Sequence, residues 1–168
     1  LDIFFLMLRH TPRSTLFPYT TLFRSFRKAV EMTSGDYIVF LGADNRFRSD
    51  YVEQCKSVLD INPETGVVYT HFLLFGERAG VEAAYKSAVP YSNIPGFYLY
   101  TFPANPQYSI RQQNYIHGSS MYRRIAYQQA GGYHSGVAPE DQSLFARMLD
   151  AGWRSEERRV GKECRSRW

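Results

Sequence analysis

The run Asp36-Tyr37-Ile38-Val39-Phe40-Leu41 constrains this chain more than any other feature, because helix and strand signals bracket it on both sides. Six residues rich in β-branched and aromatic side chains, with no helical period, suit a strand buried on both faces of a parallel sheet. Residues 27–32 before it read as the end of a helix, stopped by Ser34-Gly35 in a C-cap. Gly42-Ala43-Asp44-Asn45 after it reads as a turn. Ser49 then offers an N-cap, with Asp50 and Glu53 placed where the helix dipole favours acids. Tyr51, Val52, Cys55, Val58, Leu59 and Ile61 supply the apolar face of that helix, and Asn62-Pro63 stops it. Residues 67–75 read as a second long strand, closed by Gly76-Glu77-Arg78-Ala79-Gly80. Helix, strand, helix, strand in this order predicts a layered α/β fold.

The second half is more irregular. Residues 87–109 hold Pro90, Pro95, Pro103 and Pro106 among Tyr91, Phe97, Tyr98, Tyr100, Phe102 and Tyr108. Proline at that density blocks regular helix and predicts a long aromatic loop or short edge strands. Residues 114–122 read as a strand and 124–130 as a short helix broken by Gly131-Gly132. Pro139 at a helix N1 position opens a final helix through Glu140 and Asp141, with Leu144, Phe145, Met148 and Leu149 on its apolar face.

Charge excludes one class of partner once it is located. The chain of 168 residues carries a formal charge of +4 and is 44 % hydrophobic, too apolar for a disordered segment. Residues 1–25 hold a net +2 and residues 154–168 a net +3, while 26–153 hold 11 basic and 12 acidic residues. Codons for 12–25 can moreover be written as the reverse complement of codons for 154–167, pairing Thr15 with Cys164 and so on to Ser25 with Arg154. Proteins are not selected for antisense symmetry. Both ends therefore read as one DNA element in inverted orientation, resembling the two translations of a sequencing-library adapter, and are set aside from fold reasoning. Taking the ends as native gives the competing reading, a basic nucleic-acid binder. The basic residues show no pattern of interleaved stacking aromatics outside the paired ends, so no nucleic-acid partner is expected. Residues 1–8 imitate a secretory apolar region without a basic stretch before it or a small-residue cleavage site after it, so no signal peptide is expected. No apolar run is long enough to span a membrane, and two cysteines do not make a disulfide scaffold.

Two places could carry chemistry. Asp44 follows the buried strand, where open α/β sheets bind ligands, and its carboxylate suits Mg²⁺ or Mn²⁺ bridging to phosphate. It serves equally as a turn residue capping the loop. Glu140 and Asp141 lie at a helix N-terminus, whose dipole is expected to lower their pKa and keep a base ionised. Dipole complementarity alone explains them as well. Among lesser candidates, His71 reads as a core or edge histidine and His134 as a solvated loop residue. Cys55 reads as a small buried hydrophobe, Arg123-Arg124 as a solvated pair, and the 91–108 aromatics as a loop cluster.

The order of these pieces is more specific than any one of them. Ser34-Gly35-Asp36-Tyr37-Ile38-Val39-Phe40-Leu41-Gly42-Ala43-Asp44-Asn45 followed by Ser49-Asp50-Tyr51-Val52 closely resembles the metal-site region of family 2 glycosyltransferases. His117-Gly118-Ser119-Ser120-Met121-Tyr122-Arg123-Arg124, then Gly131-Gly132-Tyr133, Glu140-Asp141-Gln142 and Ala151-Gly152-Trp153 resemble its downstream half. The resemblance implies a GT-A fold, a Rossmann-like nucleotide-diphospho-sugar transferase α/β fold. It also implies metal-assisted transfer of a sugar from a nucleotide-diphosphate donor to an acceptor hydroxyl, on a saccharide or lipid-linked acceptor. It assigns Asp44 to the metal and, with Ala43, His117, Gly118 and Ser119, to the donor side, and Asp141, with Glu140 second, to the catalytic base. Gly42 stands where the family carries the first Asp of its Asp-x-Asp motif, which leaves metal binding more dependent on Asp44.

The resemblance further implies nucleotide-binding strands that residues 1–25 do not supply. The 26–153 segment is therefore expected to be a partial domain, to fold poorly with its sheet edges uncovered, and to be inactive alone. A non-catalytic nucleotide-sugar or carbohydrate-binding module of the same fold is the alternative that the loss at Gly42 permits. The expected location is the cytoplasm or the inner face of the membrane.

Overall fold

The computed structural model describes residues 20–42, 45–92, 94–102, 109–134 and 139–158, with side chains from residue 24 to residue 157. The chain forms two compact units, Leu1–Tyr69 with Tyr108–Glu156, and Thr70–Gln107 with Glu157–Trp168.

In the first unit, α1 (Thr20–Glu31) leads into β1 (Tyr37–Ile38), then α2 (Tyr51–Ile61) and β2 (Thr65–Thr70). The second unit supplies β3 (Phe72–Leu74), α3 (Ala79–Lys86), β4 (Val89–Pro90) and β5 (Tyr98–Tyr100). The chain returns through β6 (Met121–Arg123), α4 (Arg124–Gln129), α5 (Glu140–Asp150) and β7 (Arg154–Arg158). The larger sheet has the order β1-β6-β2-β7, and the smaller has the order β3-β5-β4.

The sheet corrects the expected parallel environment of β1. Its hydrogen-bonded neighbour is β6, antiparallel, with Tyr37 opposite Arg123 and Ile38 opposite Tyr122. β2 is also antiparallel to β6, so β1 and β2 run the same way with β6 between them. The run also alternates instead of being buried evenly, which is the period of a pleated strand. Ile38 and Phe40 are buried on one side, where Phe26 of α1 meets the Phe40 ring edge-on at 4.8 Å. Tyr37 and Val39 pack on the other side against Cys55, Leu59, Val68 and Met121. Cys55 is fully buried, as its small apolar character predicts.

Other boundaries move for identifiable reasons. α1 ends at Glu31, and Gly35 is not in a left-handed conformation, so the expected glycine cap is not made. A side chain from elsewhere closes that helix instead: Arg124 donates from Nη1 to Val30 O at 3.0 Å, from Nη2 to Thr33 Oγ1 at 2.6 Å and from Nε to Gly35 O at 2.5 Å. Arg123 does the same for α2, donating to Leu59 O, to Asn62 O at 3.0 Å and to Thr65 O at 2.8 Å. The expected solvated arginine pair is thus two half-buried helix stops. At the head of α2 the cap position is Asp50, not Ser49, and the Asp50 carboxylate is held by Arg48 at 2.7 Å.

The expected strand 67–75 starts two residues early and breaks at His71, its halves entering different sheets. His71 accepts the Phe102 N–H on Nδ1 at 3.2 Å and meets Glu157 through Nε2 at 3.2 Å. Residues 79–86, given no element by the sequence reading, form α3. The expected strand 114–122 is extended only from Met121, because Ser120 N–H bonds back to His117 O at 3.0 Å and makes 117–120 a turn. Residues 87–109 give short strands, as expected, and Phe72, Tyr100 and Phe102 pack there ring to ring at 4.9–5.7 Å. Gly131 and Gly132 both take positive φ, 76° and 73°, and end α4 as the sequence predicts. α5 begins at Glu140 with Pro139 in the cap position, and buries Leu144, Phe145, Ala146 and Met148.

Arg123→Ala is expected to lower unfolding stability by about 2–4 kcal/mol, since hydrogen bonds to a charged donor are worth about 1.5–3 kcal/mol and the abandoned carbonyls keep their desolvation cost. Lysine lacks the planar fork that serves three carbonyls, so Arg123→Lys recovers less than half of this. Urea midpoints of the two variants check it, and an unchanged midpoint for Arg123→Ala overturns it.

Candidate active site

Asp141 is the second residue of α5, where backbone N–H groups have no intrahelical partner and attract a carboxylate. Its Oδ1 accepts the Gln142 N–H at 2.7 Å and the Asn114 Nδ2–H at 3.3 Å. The expectation that the helix N-terminus lowers its pKa is overturned. Burial raises the Asp141 carboxyl above its ordinary 3.8, and the neighbouring Glu140 charge adds to the rise. The Gln142 N–H and the Asn114 amide oppose it.

The turn 117–120 lies against this carboxylate. A Cβ placed on Gly118 would lie 3.3 Å from Asp141 Oδ2 and 3.7 Å from its Cβ. Glycine here therefore lets the turn pack against the carboxylate, where any side chain would crowd Oδ2. The turn is also tied to α2, because Tyr51 Oη donates to Ser119 O at 2.7 Å. Burial pushes the Tyr51 phenol well up, so it remains a donor across the ordinary pH range. Its ring stacks on Phe47 at 4.3 Å with 8° between planes, which holds the segment leading into α2 beside the same turn. Ser120 is fully buried.

Among the residues expected at the site, His117, Gly118, Ser119, Glu140 and Asp141 all fall at this turn and the head of α5. Ala43 and Asp44 lie outside the described residues. Beside them, Asn45 donates its N–H to Gly42 O at 3.0 Å. Among the described residues no three His, Cys, Asp or Glu side chains gather in a group that could hold a metal ion. His134 is exposed, as expected of a loop residue.

The sequence reading missed Asn114 and gave Tyr51 only a place in an apolar face. Asn114 sits three residues before His117, inside what reads as continuous strand. The polar Gln112-Gln113-Asn114 run is the signal that could have placed a loop there.

This α/β architecture is of the GT-A-like, Rossmann-type kind. Residues 20–131, two thirds of the chain, match the family described as Glycosyl transferase family 2. The chain belongs to that family, whose activity is glycosyl transfer between a nucleotide-sugar donor and an acceptor. The match covers Gly42, Asp44, Asn114 and the 117–120 turn and ends ahead of Glu140 and Asp141. Divalent metals are common in the family. No curated protein matches the chain. No helix among the described residues is long and apolar enough to cross a membrane.

Folding raises the Asp141 pKa above its unfolded value, so the folded state holds that proton more tightly. Ionisation therefore costs stability as pH rises from 3.8 through the folded pKa, and costs nothing below 3.8. Asp141→Asn keeps an acceptor oxygen and removes the charge. It is expected to raise the melting temperature at neutral pH, with the gain vanishing below 3.8. Melting curves from acid to neutral pH check this, and a variant that melts lower at pH 7 overturns it.

Proposed function

We propose that this chain carries the acceptor side of a metal-assisted glycosyltransferase, with Asp141 as the general base that deprotonates the acceptor hydroxyl. The observation that supports the reading is the half-buried Asp141 carboxylate. The Gln142 N–H and the Asn114 amide donate to one of its oxygens, and Gly118 lies beside the other. A base works best when its pKa lies near the working pH, and burial moves Asp141 in that direction. The other oxygen, beside Gly118, is the one proposed to take the proton of an incoming hydroxyl. Glu140 is the second choice, on the same helical turn.

Asp44 is proposed to hold Mg²⁺ or Mn²⁺ on the donor diphosphate, with Ala43, His117, Gly118 and Ser119 lining the donor side. Such an ion would offset the charge that develops on the leaving diphosphate. Gly42 in place of a first Asp supports the second reading, a module that binds a nucleotide sugar without turning it over.

Residues 26–153 are proposed to be part of a larger GT-A domain, with 1–25 and 154–168 foreign to it, on the strength of their antisense relation. The strand Arg154–Arg158 is compatible with this, because a sheet edge pairs with backbone and accepts many sequences. The proposed acceptor is a saccharide or a lipid-linked saccharide, and the proposed setting is the cytoplasm or its membrane face.

In the parent transferase, Asp141→Asn is expected to cut turnover by about 10²–10⁴-fold while donor binding is kept, the size of a lost general base. Rates with Mn²⁺ and calorimetric binding of uridine and guanosine diphosphates separate the two effects. Turnover within a factor of two of the parent overturns the base assignment. A parent that binds Mn²⁺ and nucleotide but never transfers establishes the binding module instead. The 168-residue chain alone is expected to show no transfer.

A further inference from the structure

From the geometry around α5 we infer that Asn114 is the positioning residue of Asp141, dividing the work of its two carboxylate oxygens so that Oδ2 is the one that takes the acceptor proton. The inference rests on Asp141 being the base and adds which atom reacts and what keeps it available.

The two donors that come from other residues converge on Oδ1, the Gln142 N–H at 2.7 Å and the Asn114 amide at 3.3 Å, and the Asp141 N–H also donates to its own carboxylate. The Gln142 donor is part of the helix and comes with any acid placed there. The Asn114 donor arrives from 27 residues earlier in the chain and is the one contributed by a side chain. A carboxylate with one oxygen pinned from two directions cannot rotate freely about its Cβ–Cγ bond, so Oδ2 is aimed at a fixed point. That point is beside Gly118, where any side chain would crowd Oδ2. Asn114 and Gly118 bracket the segment 114–118, so one short stretch both holds the carboxylate and spares its reacting oxygen.

Amide donation also favours the charged form of the acid, against burial and the Glu140 charge, which favour the neutral form. Tyr133, buried and held as a neutral phenol, also feels the Asp141 and Glu140 charges, and His117 is the titratable residue of the turn packed against the carboxylate. The amide thus keeps a buried base ionised at the pH where it must accept a proton. Asparagine does this with a neutral group, where a lysine or arginine would pin the acid permanently in its charged form and weaken it as a base.

The test is a ¹³C NMR titration of the Asp carboxyl carbons in the parent transferase, with the Asp141 signal assigned by its loss in Asp141→Asn. Asn114→Ala is expected to move the Asp141 midpoint upward by about half a pH unit or more, and Asn114→Asp further still, since it exchanges a donor for a like charge. Asn114→Gln, with the same amide on a longer stem, is expected to restore part of the difference. A midpoint in Asn114→Ala equal to that of the parent chain overturns the inference, as does one that falls. Amide spectra that superimpose away from 114–118 and 140–142 separate this effect from general unfolding. The outcome is independent of turnover, so an active Asp141→Asn enzyme would remove the base assignment while leaving the hydrogen bond measured here in place.

Discussion

Two adjacent arginines hold the first unit together. Arg123 is the last residue of β6, in extended conformation, and Arg124 the first of α4. At such a junction neighbouring side chains leave in different directions, as along a strand. Arg123 reaches the carbonyls that end α2, and Arg124 reaches those that end α1. These helices lie over opposite sides of β1, one against Tyr37 and Val39, the other against Ile38 and Phe40. A cation at a helix C-terminus satisfies orphan carbonyls and complements the dipole at once. The Arg124 N–H adds a bond to Asp36 O at 2.8 Å, and Arg123 sits 5.5 Å from the Tyr37 ring centre. β1 has only two ladder residues, so this arginine pair fixes its register. A slip of one residue would turn Tyr37 and Ile38 to the wrong faces.

The same pair shows why part of the fold was legible and part was not. The α/β order, the ends of α2, the glycine break after α4 and the start of α5 are written locally, in apolar spacing, Asn62-Pro63, Gly131-Gly132 and Pro139. Arg123-Arg124 carries no local signal of its role, because its partners are carbonyls 58 to 94 residues away. An apolar run says that a strand forms but not which strand lies beside it, so an antiparallel β6 between β1 and β2 could not be read. The break at His71 was hidden for the same reason, since both halves of 65–74 are apolar and differ only in their partners. α3 lies between the glycine-bearing stretch 76–80 and the proline-rich 87–109, where Glu82-Ala83-Ala84 favours helix but no cap or long apolar period marks its ends.

At the candidate site the sequence named the acid and mistook the direction of its environment. A helix N-terminus stabilises a carboxylate by about 0.3–1 kcal/mol, under one pKa unit. Burial can move a carboxyl by several units, so even partial burial outweighs the dipole. The 117–120 turn packing over the head of α5 decides the sign, and a reading confined to α5 contains no trace of that turn. Tyr51 belongs to the same lesson. In sequence it counts toward an apolar stripe, and in the fold its hydroxyl ties α2 to the Ser119 carbonyl.

The ends of the chain show where structure stops carrying information about origin. Residues 20–25 continue a helix and Arg154–Arg158 pairs along the edge of the larger sheet, yet both lie in segments whose codons can be reverse complements. Edge pairing is made by backbone groups, and helix extension by any residue that is not a strong breaker. Secondary structure at an open edge or a helix start therefore carries no information about where its residues come from. What distinguishes them is charge. Without them the remaining residues carry a net −1, and the basic pI of 9.1 belongs to the ends alone. Any attraction to an anionic partner would therefore come from those two ends.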